Sequence, residues 1–77
     1  MFRIVIIEDD QEVREELKIL LHNAGYEAIV IENLQENVEE KIMKQDPNLV
    51  LLDINLPEKN GYEICSKLRK QSNVPII

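Results

Sequence analysis

Four short apolar runs divide the chain: Ile4-Val5-Ile6-Ile7, Ala28-Ile29-Val30-Ile31, Leu49-Val50-Leu51-Leu52 and, after Asn73, Val74-Pro75-Ile76-Ile77. Four apolar residues in a row leave no polar face for water, so these runs read as short buried strands. Between them the apolar positions recur at helical spacing. Val13, Leu17, Leu20, Leu21 and Ala24 form the inward stripe of a first helix, capped by Asp10 and ended by Gly25. Leu34, Val38, Ile42 and Met43 supply the stripe of a second, with Asn33 and Glu36 as a capping box. That helix should stop near Gln45-Asp46-Pro47, because proline disfavours helical geometry in the residue before it. Asn60-Gly61 marks a turn, and Asn60 followed by Glu63 caps a third helix with Ile64, Cys65 and Leu68 inward. Lys67, Arg69 and Lys70 lie on its outer side in the last turns, where they complement the helix dipole.

The order is strand-helix three times and then a fourth strand in which the chain ends. Such alternation predicts an α/β fold: a doubly wound parallel sheet joined by right-handed crossovers. Ligands bind such sheets at the carboxyl ends of the strands, where the strand order reverses. Placing strand one between strands two and three gives the order 2-1-3-4 and sets the ends of strands one and three beside that reversal.

Both of these strands end on acids. Leu51-Leu52 runs into Asp53, and Ile6-Ile7 runs into Glu8-Asp9-Asp10. Four carboxylates at one sheet edge repel one another unless a cation or protons neutralise them, so the cluster reads as a metal and phosphoryl site. Asp10 is the exception, better explained as the cap of the first helix. The remaining chemistry-bearing residues have plainer roles. Glu15, Glu16 and Lys18 make a solvated helix face, and His22 sits near a helix C-terminus without a metal-type partner close in sequence. Cys65 reads as a small core residue, Pro57 fixes a backbone angle in a loop, and Gly61 permits a turn.

Composition narrows the picture. With 77 residues there is room for one domain, spanning residues 1–77. A net charge of −6 argues against nucleic-acid binding by this segment. The single cysteine excludes an internal disulfide and suits a reducing cytoplasm. The apolar runs are too short for a signal peptide or a membrane span.

Three stretches in this order resemble the receiver domain of two-component response regulators: Ile6-Ile7-Glu8-Asp9-Asp10, Leu51-Leu52-Asp53, and the loop from Leu56-Pro57 to Gly61. The resemblance implies a flavodoxin-like fold in which Asp53 accepts a phosphoryl group from a histidine kinase or phosphotransfer protein. It further implies that Glu8 and Asp9 hold Mg²⁺ together with Asp53 and the main-chain carbonyl of Asn55. The protein would then be a cytoplasmic signalling switch rather than an enzyme, with any output domain outside this chain.

The physical chemistry agrees with that implication. A carboxylate attacking a phosphoryl group joins two negative species, which calls for a divalent cation between them. A complete receiver domain continues with a hydroxyl residue after strand four, an aromatic residue and a lysine on strand five, and two further helices. The expectation is therefore a receiver domain truncated in strand four. The alternative is a receiver-like interaction module without phosphotransfer. Aspartyl-nucleophile phosphohydrolases fit less well, since they carry a second acid where this chain has Asn55. An open strand-four edge at Ile76 and Ile77 would also invite self-association.

Overall fold

The computed structural model describes residues 2–31, 36–53, 56 and 60–77. Its elements run β1 (Arg3–Ile7), α1 (Gln11–Asn23), β2 (Glu27–Val30), α2 (Val38–Lys44), β3 (Leu49–Leu52) and α3 (Gly61–Gln71). The strands form a parallel sheet of order β2-β1-β3, as the alternation predicts. β1 sits in the middle, with Ile4 beside Ala28 on one side and Leu49 on the other. The fourth apolar run begins a further parallel strand: Ile76 bridges to Val50, whose N–H donates to the Pro75 carbonyl at 2.9 Å.

Local chemistry sets the element ends. Asp10 is extended, and its Oδ1 accepts the N–H groups of Glu12 and Val13 at 3.0 and 3.3 Å, which caps α1. Gly25, at φ +90°, closes the same helix. The Gly25 N–H donates to the His22 carbonyl and the Tyr26 N–H to the Leu21 carbonyl, the paired bonds of a Schellman motif that turn the chain into β2. α2 stops where expected, just before Pro47, but Asp46 leaves the helix through the left-handed region at φ 51° rather than through extended geometry. Asn60 caps α3 by accepting the Tyr62 N–H at 2.9 Å.

Two further details differ from the sequence reading. α2 starts at Val38 from a left-handed Asn37 that makes no side-chain cap, while Glu36 precedes the helix. Asn33 and Leu34, the other parts of the expected start, lie outside the described residues. The turn expected at Asn60-Gly61 is the first turn of α3, with the Glu63 N–H donating to the Asn60 carbonyl at 3.0 Å and Gly61 as the buried first residue of the helix.

The second difference concerns the inward stripe of α1. Strand alternation sends Val5 and Ile7 to one face of the sheet and Ile4 and Ile6 to the other. On the first face Val5, Ile7, Val50, Val38, Ile42, Ile64 and Leu68 are buried with Ile31 and Leu56, closed over by α2 and α3. An ion pair from Lys67 Nζ to Glu39 Oε1 at 3.8 Å ties these two helices. On the second face α1 buries none of its residues. Leu17 and Leu21 are half-buried, whereas Val13 is 39% and Leu20 64% exposed. A single helix resting on a sheet covers it only along its contact line, so the flanks of an apolar stripe this wide stay open.

Candidate functional site

The parallel register of β1 and β3 builds the site. Ile7 pairs with Leu52, and the Asp53 N–H donates to the Ile7 carbonyl at 2.9 Å. Glu8 and Asp53 are therefore the first residues beyond two adjacent strand ends, where both chains leave the sheet. Glu8, Asp9 and Asp53 each bring a carboxylate oxygen to within 4.8 Å of the others. Glu8 and Asp53 are half-buried and Asp9 is exposed, so the group opens outward from a partly desolvated base. A cavity of about 220 Å³ lies at the same edge, between Leu17, Ile77 and the two half-buried acids.

Glu8 carries the electrostatic imprint of this crowding. Burial pushes its carboxyl above the ordinary range, and the negative charge of Asp53, a side-chain hydrogen bond with Asp53 and the charge of Asp9 push the same way. The Asp10 N–H, donating to Glu8 Oε1 at 3.1 Å, works in the opposite direction. Two carboxyl groups can share a hydrogen bond only when one holds a proton. Without a cation, then, the crowding raises the affinity of Glu8 for a proton. A divalent ion would displace that proton and satisfy the same oxygens, and carboxylates are the hard donors that such ions prefer.

The structure thus brings together three of the four acids singled out from the sequence and assigns the fourth to the helix cap. The main chain of Asp10 has a second use that sequence reasoning missed, since its N–H orients Glu8. Adjacency alone does not signal such a bond. Asn55, named for its main-chain carbonyl, and Pro57 lie outside the described residues. His22 and Cys65 lie away from the cluster, His22 exposed on α1 and Cys65 half-buried on α3.

Comparison with known proteins points the same way. The sensory transduction protein BceR of Halalkalibacterium halodurans is 39% identical over 77 residues, which is 100% of this chain and 33% of that protein. The chain thus spans about a third of the length of this curated relative. Among solved structures, the BeF3-activated N-terminal receiver domain of Klebsiella pneumoniae RstA superposes with a TM-score of 0.86 at 40% identity, covering 96% of this chain and 62% of that one. The response regulator TrrA, solved in complex with the histidine kinase ThkA, gives 0.79 at 33% identity, with 99% and 66% covered. The family model described as the response regulator receiver domain matches residues 4–77, from the first residues of β1 past both acidic strand ends. By fold, by sequence and by the strand-end position of its acids, the chain belongs to the response regulator receiver domain family.

Proposed function

We propose that this chain is a phosphoacceptor module of two-component signal transduction, in which Asp53 receives a phosphoryl group from a histidine kinase or phosphotransfer protein. The observation that carries the reading is the convergence of Glu8, Asp9 and Asp53 at the carboxyl edge of β1 and β3, with carboxylate oxygens within 4.8 Å of one another. Glu8 and Asp9 would hold a divalent cation there, Mg²⁺ by preference, since it takes one or two protein carboxylates. The Asn55 carbonyl is proposed as a further ligand. When bound, the ion offsets the charge that builds up as a carboxylate meets a phosphoryl group.

The chain's own residues perform the remaining work. An Asp53 carboxylate oxygen attacks phosphorus as the bond to the donor's nitrogen breaks, leaving an acyl phosphate on Asp53 and a histidine on the donor. The bond from the Asp53 N–H to the Ile7 carbonyl fixes the backbone from which the nucleophile projects. The Asp10 N–H holds Glu8 toward the metal position. Each chain accepts one phosphoryl group, so the module is a switch rather than a turnover catalyst. It supplies a receiver domain from its first strand to the start of its fourth. Its place is the cytoplasm, and an output domain of the same pathway reads the modification. Among the described residues no helix is long and apolar enough to cross a membrane.

The test is incubation with a small phosphodonor and Mg²⁺ followed by intact-mass measurement. One added phosphoryl group in the wild type, absent in Asp53→Asn, is the expected result. A wild type that takes up none, while it melts cooperatively and binds the metal, leaves an interaction module instead. Multiple turnover of a phosphoester would move the chain to the phosphohydrolases.

A further inference from the structure

The far edge of the sheet, away from the acidic cluster, carries a second surface. β2 is its outer strand. The Glu27 N–H donates to the Phe2 carbonyl and the Ile31 N–H to the Ile6 carbonyl, so residues 27, 29 and 31 face β1. Strand alternation then turns the main-chain N–H and C=O groups of Ala28 and Val30 outward, and among the described residues no strand pairs with them. Beside this edge an open groove of about 720 Å³ runs between α1 and β2, lined by Glu15, Lys18, Ile19 and His22 on the helix and by Tyr26 and Ala28 on the strand side. Ile19 is 60% exposed, and Tyr26, tilted against Phe2 with ring centroids 5.5 Å apart, is 39% exposed. A row of unpaired strand groups flanked by exposed isoleucine and aromatic rings is a pairing template.

We propose that this edge pairs with itself, taking β2 of a second copy antiparallel beside its own. Charge selects that occupant. The chain as a whole carries −6, which opposes self-association wherever the acids gather. At this edge the groove sets one acid, Glu15, beside one base, Lys18, on the same flank of α1, while Glu27 is already paired with Arg3 on the α2 side of the sheet. Both halves of a complementary pair lie on one patch, as a two-fold contact requires. Antiparallel pairing of the two β2 strands carries the two α1 helices alongside each other in opposite directions. Glu15, Ile19 and His22 share one flank of α1 at helical spacing, so Glu15 meets the partner's His22 and Ile19 lies near the partner's Ile19. The surface is built from α1 and β2 and shares no residue with the acidic cluster, so it stands or falls independently of phosphotransfer.

Sedimentation equilibrium from micromolar concentration to about 1 mM tests it, with dimerisation read against the 9.0 kDa monomer. A dimer is expected in the wild type. Ile19→Lys, at a position too exposed to disturb folding, should raise the dimer Kd about tenfold or more and leave the circular dichroism unchanged. Leu20→Lys, on the other flank of α1, should leave the Kd as it is. A monomer at every concentration overturns the proposal. So does a dimer indifferent to Ile19→Lys or lost in Leu20→Lys, which would place the contact on the open face of α1 or on the outer edge of residues 75–77.

Discussion

At the amino end of the sheet the Arg3 guanidinium donates to Glu27 Oε1 at 2.8 Å and to the Gln45 carbonyl. Its main chain exchanges bonds with Asn48, the Arg3 N–H donating to Oδ1 at 2.7 Å and the Asn48 N–H to the Arg3 carbonyl at 2.8 Å. At the carboxyl end of the same strands, Glu8, Asp9 and Asp53 crowd together and raise the affinity of Glu8 for a proton. At one end the Arg3 charge is matched within the chain, and the match joins β1 to β2 and to the turn after α2. The other concentrates like charge on a partly desolvated edge, which costs stability in the absence of a counter-ion. The first arrangement serves the fold. On the proposed function, the second is a place for a cation and an incoming phosphoryl group.

The largest disturbance comes from the core that both ends share. Ile7 is fully buried in the core of the closed face and precedes Glu8 directly. Ile7→Ala should cost about 2–5 kcal/mol. For a chain of this size that is a large part of the total stability, so the variant should be mostly unfolded by circular dichroism and unresponsive to Mg²⁺. A variant that stays folded and merely loses the metal response would mean the acidic edge is supported by something other than this packing.

Removing the balanced end should matter less. Arg3→Ala gives up an ion pair with both side chains over a third exposed, which on its own is worth little, together with a charge-assisted bond to the Gln45 carbonyl. A loss of about 1–2 kcal/mol is expected in urea unfolding, with the metal response intact. An unchanged midpoint would show that the amino end contributes no net stability.

Why the two ends were unequally visible in the sequence follows from the range of the interactions. The acidic end announces itself because two buried runs stop on carboxylates, and a parallel sheet with β1 in the middle leaves those stops side by side. The caps at Asp10 and Asn60 and the stop at Gly25 were legible for a related reason: each acts within a few residues of itself. Arg3 was not legible, because its partners stand 24, 42 and 45 residues away and no local pattern reports them. The α1 stripe was half legible. Periodicity showed that Val13, Leu17 and Leu20 share a side of the helix, but the extent to which that side is covered depends on what else packs there. At Asn60-Gly61 the turn and the helix cap read from the sequence prove to be one feature, the capped first turn of α3.

The smallest effect has the opposite sign. In the metal-free protein Glu8→Gln should stabilise at neutral pH, by up to about 1 kcal/mol, because it removes one of three converging charges. The pH dependence follows from the raised affinity of Glu8 for its proton. As pH climbs past the ordinary value of 4.5, Glu8 in the unfolded chain ionises before Glu8 in the fold. Its contribution to stability is thus present below about 4.5 and is lost as pH rises through the higher folded value. The melting temperature of Glu8→Gln minus that of the wild type should therefore grow from acid to neutral pH, and saturating Mg²⁺ should reverse its sign. A difference that stays flat across that range would remove the electrostatic reading of this end.

The most direct measurement joins the cation to the chemistry. Intact mass is followed over time with a small phosphodonor, in Mg²⁺ and in chelator, for the wild type and for Glu8→Gln combined with Asp9→Asn. The account predicts one phosphoryl group per wild-type chain in Mg²⁺, little in chelator, and little in the double variant under either condition. Equal incorporation by the folded double variant, or by the wild type with the metal removed, would contradict it.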